Sequence, residues 1–394
     1  MYWDGFRLEN LKTMLFTDEE LEKCTARKGD LLVCEGGDIG RACIWNEDFD
    51  IRIQNHIHKL RPYSKVDVKY FYYIFYLYKS LGMIGGKGIG IQGLSSGALH
   101  KLIFPLPNYN EQQRIVAKLE IILPVVVKYE KQQISLDCLN SEIKPRLRKA
   151  ILQEAIQGRL VEQCETNEPA TVLLEQIKIE KKRLVKEGKL KKSALEDSVI
   201  FKGDDNKYYE NLNGEVIDIT DQIPYDIPNT WRWVRLRSIG TWGAGATPNR
   251  GTVEYYKNGT IPWIKTGELN NGLVTDSIEK VTPKALAECS LRMACVGDVL
   301  IAMYGATIGK LAIAGVQLTT NQACCACTPF NGIYNWYLFY YLMANKEALI
   351  EMGAGGAQPN ISREKIIQFL FALPPVNEQR MIVSRIELLF MLLN

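Results

Sequence analysis

The stretch PLPNYNEQQRIV, residues 105–116, has a near copy in ALPPVNEQRMIV, residues 372–383. In each copy a proline-rich turn is followed directly by an amphipathic run, and we call this segment the stop motif. Glu111 is equivalent to Glu378, so the repeat offset is 378 minus 111, or 267 residues. A repeat of this length predicts two whole domains rather than a solenoid of short units.

The two copies also share the segments that precede the stop motif. KGDLLVCEGGDIGRACIW (28–45) parallels VGDVLIAMYGATIGKLAIA (296–314), each with a Gly-Asp turn, an apolar strand, a Gly-containing loop and a second strand. An aromatic-rich helical run (68–82 or 335–349), a Gly-rich loop and a last strand follow in both. We therefore predict an α+β fold built from two similar domains that mix α and β structure.

A long helix is predicted after the first stop motif. Apolar residues follow three-four spacing from 115 to 147, which indicates one helix from Asn110, its predicted N-cap, to about Gln157. Pro124 and Pro145 predict kinks rather than breaks, because the apolar stripe resumes beyond each. At 1.5 Å per residue this helix would be roughly 70 Å long. A second, basic helix is predicted from Thr171 to about Lys186.

Composition limits the class of protein. The chain has 394 residues and a net charge of only +3, so it is not a uniformly basic nucleic-acid coat. The absence of a run of eighteen apolar residues argues against a membrane span, and ten cysteines without framework spacing favour a reducing cytoplasm. Charge is uneven, since residues 178–192 carry eight Lys or Arg and two Glu. Such a run is either a solvated helix face or a phosphate contact.

Several short motifs fail as chemical sites. The CCAC cluster at Cys324, Cys325 and Cys327 lacks a fourth zinc ligand at suitable spacing, and we interpret it as buried thiols on a strand. The Gly-x-Gly-x-x-Gly match at residues 88–93 lacks the strand before it and the helix after it that a dinucleotide site requires. With three histidines and no convergent catalytic motif, we predict a chain that catalyses nothing itself.

The order of the motifs resembles the specificity subunit of type I restriction-modification methyltransferases. The matching segments are IPNTWRWVRLRSIG (227–240), GAGATPNRG (243–251), IPWIKTGEL (261–269), GDVLIAMYGATIGK (297–310), NQA (321–323), LPPVNEQRMIV (373–383) and RLRKAILQEAIQGRL (146–160). The resemblance implies an adaptor in which two target-recognition domains each read one half of a split DNA sequence. A coiled-coil-like pair of long antiparallel helices would hold them apart.

The resemblance also implies the partners. We expect double-stranded DNA, methyltransferase subunits (two of them) docked on the spacer helices, and restriction subunits in the full complex. S-adenosylmethionine, Mg²⁺ and ATP would belong to the partner subunits, so no cofactor is expected on this chain. The alternative function is a truncated or phase-variant fragment that acts as an assembly scaffold without reading DNA, and a third is an enzyme whose motif is unrecognised.

The resemblance divides the chain into five parts. These are a first recognition domain (1–109), central spacer helices (110–200), a polar linker (201–226), a second recognition domain (227–376) and the start of a second spacer helix (377–394). Gly5 aligns with Gly272, so the first domain lacks a counterpart of residues 227–268. We therefore expect a chain trimmed at both ends, which is either a truncated product or is completed by a second chain through self-association.

Candidate DNA contacts lie in loops, where Gly lets the backbone approach a phosphate and Asn, Gln or Arg reach base edges. In the second domain they are Thr247, Asn249, Arg250, Thr307, Lys310, Asn321, Gln322, Gln358, Asn360 and Arg363, and in the first they are Arg41, Gln54, Asn55, Lys87 and Gln92. For each, an ordinary turn or surface role stays open. Asn321 and Gln322 could instead satisfy buried backbone groups. The aromatic runs favour helix packing over base stacking.

Overall fold

A computed structural model of the protein describes residues 1–9, 11, 13–84, 93–163, 168–196, 198–353 and 360–393. The chain divides into a first unit, Met1–Cys138, and a second unit, Leu139–Asn394. Helices and short sheets are mixed in both units, so the predicted α+β class is confirmed. In the described part of the chain, no helix combines the length and the apolar character that a membrane crossing requires.

The first unit is built on a three-stranded antiparallel sheet with the order β3-β2-β5. Residues Leu31, Val33 and Ala42 of this sheet pack against Phe75 of helix α2. The elements are α1 (Asp18–Cys24), β1 (Thr25–Ala26), β2 (Leu31–Cys34), β3 (Ala42–Ile44), β4 (Ile51–Arg52), β5 (Ile57–Leu60), α2 (Val68–Ser80), α3 (Ser96–Leu99) and α4 (Tyr109–Ile156), which ends in the second unit.

The second unit is larger and follows the same plan with additions. Its elements are α5 (Ala170–Lys186), β6 (Ser198–Lys202), β7 (Tyr208–Leu212), β8 (Glu215–Asp218), β9 (Arg232–Arg235), β10 (Gly240–Ala244), β11 (Ile261–Ile264), β12 (Leu273–Val274), β13 (Lys280–Val281), α6 (Pro283–Glu288), β14 (Val299–Ala302), β15 (Leu311–Ala314), β16 (Thr319–Thr320), β17 (Cys324–Pro329), α7 (Asn335–Ala344), α8 (Lys346–Gly353), α9 (Arg363–Gln368), β18 (Leu370–Leu373) and α10 (Val376–Leu392).

A five-stranded sheet with the order β10-β17-β14-β15-β12 forms the centre of the second unit. The side chains of each strand alternate between its two faces. Thus Cys325 and Cys327 join the large core that includes α7 and β18, whereas Cys324 joins a smaller core on the other face. This confirms the interpretation of the CCAC cluster as buried thiols on a strand. Among the described residues, no group of His, Cys, Asp and Glu could hold a metal ion.

A glutamine of the stop motif makes two equivalent hydrogen bonds in both copies. Gln379 is fully buried; its Oε1 accepts from the N–H of Tyr334 at 2.7 Å, and its Nε2 donates to the carbonyls of Pro374 and Gly332, both at 3.2 Å. Gln112, 267 residues earlier, accepts from the N–H of Asp67 and donates to the carbonyl of Pro107, both at 2.8 Å. The amide therefore ties the turn before each long helix to the N-terminus of the aromatic helix.

A tyrosine in each aromatic helix adds a second tie at equivalent positions. The hydroxyl of Tyr70 donates to the carbonyl of Pro105 at 3.0 Å, and that of Tyr337 donates to the carbonyl of Ala372 at 2.9 Å. Both tyrosines are buried. The aromatic helices α2 and α7 thus pack as core elements, as predicted, and their polar atoms hold the segment that enters the stop motif.

The two copies differ in what covers this segment. In the second unit β18 pairs with β9, and Leu370 and Leu373 are buried next to a core that includes Trp231. The equivalent residues of the first unit, Ile103 and Leu106, are 85% and 68% exposed. Across the described residues of the first unit, no strand pairs with this segment.

Both predicted spacer helices are present, with one correction. α4 spans Tyr109–Ile156 and α5 spans Ala170–Lys186, and α4 is continuous through Pro124 and Pro145. The predicted N-cap, Asn110, is wrong, because Asn108 precedes the helix and its Oδ1 accepts from the N–H of Glu111 at 2.9 Å. The apolar stripe of α4 is largely solvent-exposed, with Tyr129, Leu136 and Ile143 more than half exposed.

Part of the predicted linker (201–226) is folded. Strands β6, β7 and β8 form an antiparallel sheet, with the chain reversing between β7 and β8 at Asn213 and Gly214, both with positive φ. Such an Asn-Gly pair is the common two-residue hairpin signal. Glu210 on β7 accepts from Arg235 on β9 at 2.5 Å in a buried ion pair, and burial opposes the lowering of its carboxyl pKa by Arg235. The sheet therefore belongs to the second unit.

We predict that Gln379→Leu destabilises the second unit by about 2–4 kcal/mol, because it removes the partner of one N–H and two carbonyls in bonds that are partly or fully buried. Gln317→Leu, at an exposed position of the same unit, should change stability by less than about 0.5 kcal/mol. Denaturant unfolding with hydrogen exchange measured by peptide would locate the loss. Equal midpoints for the two variants would contradict the role of the amide.

We also predict that the three β17 thiols resist alkylation in the folded chain. Burial raises the pKa of Cys325 to about 12 and those of Cys324 and Cys327 well above the ordinary thiol value, so all three stay protonated at pH 8. The exposed thiols of Cys138 and Cys295 should react first. Peptide mass spectrometry after iodoacetamide treatment checks this, and rapid native labelling of Cys325 would argue against a buried strand.

Candidate nucleic-acid interface

Loops of the second unit converge at one edge of the five-stranded sheet. Strands β10 and β14 end there and β17 and β15 begin there, because neighbouring strands are antiparallel. The N–H of Met303 donates to the carbonyl of Ala323 at 2.8 Å, and the N–H of Ala246 donates to that of Thr320 at 3.0 Å. We call residues 245–251, 303–310 and 320–323, together with the adjoining ends of β11 and residue 360, the loop edge.

Glycine is needed where the first of these loops crosses the sheet. A Cβ on Gly245 would lie 2.0 Å from the carbonyl oxygen of Thr320, a distance that no side chain tolerates. The backbone of the GATP segment therefore lies directly on the end of β16. This close approach places the exposed side chain of Thr247 beside the turn that carries Gln322.

Most of the predicted contacts of the second domain lie at the loop edge. Thr247 Oγ1 and Gln322 Oε1 are hydrogen-bonded. Asn321 lies in the same turn, and its Oδ1 is buried with no hydrogen-bond partner among the described residues. Thr307 and Lys310 belong to the loop that joins β14 to β15, and Asn360 reaches this loop through a β-bridge with Tyr304.

Arg250 is held in place by two aromatic rings and a carboxylate. Its guanidinium lies 4.8 Å from the ring centres of both Tyr256 and Trp263 and donates to Glu279 at 2.5 Å. Lys265 donates to the same carboxylate, and the bonds from Lys265 and Arg250 lower the pKa of Glu279. The carboxylate therefore stays ionised at neutral pH and pairs with two cations at once.

Lys265 and Glu279 were missed by the sequence analysis. Lys265 directly follows β11, which is parallel to β16, and the N–H of Asn321 donates to the carbonyl of Ile264 at 3.0 Å. A basic residue directly after a partly buried strand is therefore the sequence feature that could have predicted Lys265 as a candidate. Glu279 offered none, because its contacts to Arg250 and Lys265 cross 29 and 14 residues of chain.

Arg363 lies elsewhere. Its guanidinium pairs with Glu364 at 2.9 Å, and it lines a cavity of about 520 Å³ together with Arg237, Thr241 and Trp242, near the beginning of β10. Within the described part of the chain, no hydrogen bond or ion pair joins its side chain to the loop edge. Gln358 lies outside the described residues.

The first unit repeats the edge on a smaller scale. β2 ends where β3 and β5 begin, and the N–H of Cys34 donates to the carbonyl of Arg41 at 2.8 Å. The guanidinium of Arg41 pairs with Asp38 at 3.2 Å. Gln54 and Asn55 are exposed just before β5, so all three candidates share one sheet edge. Lys87 and Gln92 lie outside the described residues.

Both copies of the repeat match the same family of known proteins. The family model described as "Type I restriction modification DNA specificity domain" matches residues 5–136 and again residues 228–392. The Escherichia coli type I restriction enzyme EcoR124I/EcoR124II specificity subunit is 27% identical over 160 residues, covering 39% of this chain and 40% of the relative. The Methanocaldococcus jannaschii MjaIX specificity subunit is 33% identical over 164 residues, covering 40% and 37%. The matches thus span about two-fifths of these relatives' length.

Two solved structures are also similar. One, described as the structural basis of complex assembly and conformational transition of the type I R-M system, is 18% identical, with 94% of this chain and 76% of that chain covered and a TM-score of 0.48. The HsdS subunit from Thermoanaerobacter tengcongensis is 18% identical, with 94% and 75% covered and a TM-score of 0.44.

We predict that Glu279→Gln strengthens sequence-independent binding of duplex DNA. The change frees Arg250 and Lys265 from their shared carboxylate, so affinity should rise several-fold at low salt and the slope of log K against log salt should steepen by up to about one unit. Glu215→Gln, an equal charge change at an exposed position on β8, is the control. Fluorescence anisotropy over a salt series measures both, and equal effects would show that only net charge matters.

Proposed function

Because the chain belongs to the type I restriction-modification DNA specificity family, we propose that it is the DNA-recognition subunit of such a complex. The observation that carries the proposal is the repeated sheet edge. Each unit gathers Arg, Gln and Asn side chains where strand ends meet, on backbones fixed by strand pairing. Loops held on a rigid scaffold are well suited to binding.

In this proposal residues 1–109 and 227–376 are the two recognition domains, and each reads one half of a split duplex site. Residues 110–200 and 377–394 supply the spacer helices. Base edges would be reached by Gln and Asn, and phosphates by Lys and Arg. The candidate set is Arg41, Gln54, Asn55, Thr247, Asn249, Arg250, Thr307, Lys310, Asn321, Gln322 and Asn360, to which Lys265 is added. Lys87, Gln92, Gln358 and Arg363 stay candidates on sequence grounds alone.

The chain would be non-catalytic, and its chemistry would be supplied by partners. Two methyltransferase subunits would dock on the spacer helices, and restriction subunits would join the full complex. The exposed apolar stripe of α4 supports a protein partner, because Tyr129, Leu136 and Ile143 are each more than half exposed. A helix from a second copy of the chain would cover this stripe by self-association.

The second candidate function is an assembly scaffold that does not read DNA. The exposed Ile103 and Leu106 favour it, because among the described residues of the first unit no strand covers the segment that β9 covers in the second. The two functions make different demands on the chain. A DNA reader requires at least one competent loop edge, whereas a scaffold requires only the helices.

We predict that the purified chain binds duplex DNA with a steep loss of affinity as salt rises, yet keeps a preference for one sequence over scrambled duplex. Selection from a randomised duplex library followed by anisotropy at several salt concentrations tests this. The mass of the chain, alone and with its methyltransferase subunit, is measured in parallel. A complex with the methyltransferase but no sequence preference would favour the scaffold.

A further inference from the structure

Gln322 occupies a fixed and exposed position at the loop edge. Its turn is held on both sides, because the neighbouring carbonyls of Thr320 and Ala323 accept from Ala246 at 3.0 Å and from Met303 at 2.8 Å. The residue itself is exposed. A side chain on such a turn reaches solvent from a backbone that has little freedom to move.

The amide of Gln322 is also oriented. Thr247 Oγ1, which is exposed beside it, donates its hydroxyl hydrogen to Gln322 Oε1. An amide oxygen has two lone pairs, so Oε1 keeps one acceptor position. In the described part of the chain Nε2 has no hydrogen-bond partner, which leaves a donor and an acceptor side by side.

Three neighbouring polar side chains are engaged in other contacts. Arg250 and Lys265 share the carboxylate of Glu279. Asn249 Oδ1 accepts from the N–H of Gly251 at 2.9 Å, which closes its own turn. Among the described residues of the loop edge, Gln322 is the amide whose oxygen is bonded by another side chain and whose donor is unused.

A paired donor and acceptor on a Gln matches one base. The amide donates from Nε2 to N7 of adenine and accepts at Oε1 from the N6 amino group, in the major groove. We infer that Gln322 reads an adenine in the half-site of the second recognition domain, with Thr247 as a positioning residue. This inference rests on the proposed function, since it assumes that the loop edge meets duplex DNA.

The inference predicts an exchange of base preference in Gln322→Glu. A carboxylate accepts from the N4 amino group of cytosine and cannot donate to N7 of adenine. One position of the selected motif should therefore change from adenine to cytosine, with a change in discrimination of roughly 5- to 150-fold. Gln317→Glu makes the same charge change at an exposed site after β15, at the opposite sheet edge, and should leave the motif unchanged.

Thr247 is tested by two variants. Thr247→Val removes the hydroxyl and should lower adenine discrimination at that position while leaving the salt dependence of binding unchanged. Thr247→Ser keeps a hydroxyl and should restore discrimination. A purely structural role for Thr247 would weaken binding to all sequences alike.

The experiment is library selection with the full chain and each variant, read by sequencing, with circular dichroism to confirm folding. A motif for the wild type that changes at one adenine in Gln322→Glu supports the inference. An unchanged adenine preference overturns the inference and leaves DNA recognition standing. No motif for the wild type overturns both. If Gln322→Glu binds no DNA while Gln317→Glu does, Thr247→Val decides instead. Lower adenine discrimination in that variant supports the inference, and unchanged discrimination overturns it.

Discussion

The buried amides of Gln112 and Gln379 are the constraint on which each repeat depends. Each amide pairs an N–H at the start of the aromatic helix with a proline carbonyl of the stop motif. Both glutamine side chains are buried, so these bonds offset the desolvation cost of an amide that would otherwise be unpaired. The segment that enters the stop motif, the aromatic helix and the following long helix are thereby fixed relative to one another within each unit.

The same constraint works in two different surroundings. In the second unit β9 completes the sheet next to the stop motif, and its Arg235 also anchors β7 through Glu210. In the first unit the equivalent segment keeps its tyrosine and glutamine bonds although Ile103 and Leu106 are exposed. The hydrogen bonds of the tyrosine and the glutamine are therefore formed within each repeat. The strand that covers the segment in the second unit, β9, comes from another part of the chain.

Sequence patterns predicted the features that depend on short-range physics. The repeat, the α+β class, the continuous α4 and the buried β17 thiols all follow from periodicity and local composition. The Asn213-Gly214 pair also predicts the hairpin between β7 and β8, but the polar composition of the segment favoured a linker. The pairing of Arg250 and Lys265 with Glu279, and the separate position of Arg363, depend on contacts between distant segments, which no local pattern specifies.

The charge distribution at the loop edge bears on how such a surface would discriminate between sequences. Arg250 and Lys265 are partly neutralised by Glu279, and Arg41 is paired with Asp38. Paired cations attract phosphates less strongly than unpaired ones, which limits sequence-independent affinity. Neutral amides such as Gln322 contribute only when donor and acceptor both find their partners on a base. In the proposed function, a modest net charge of +3 combined with oriented amides would therefore favour discrimination over tight non-specific binding.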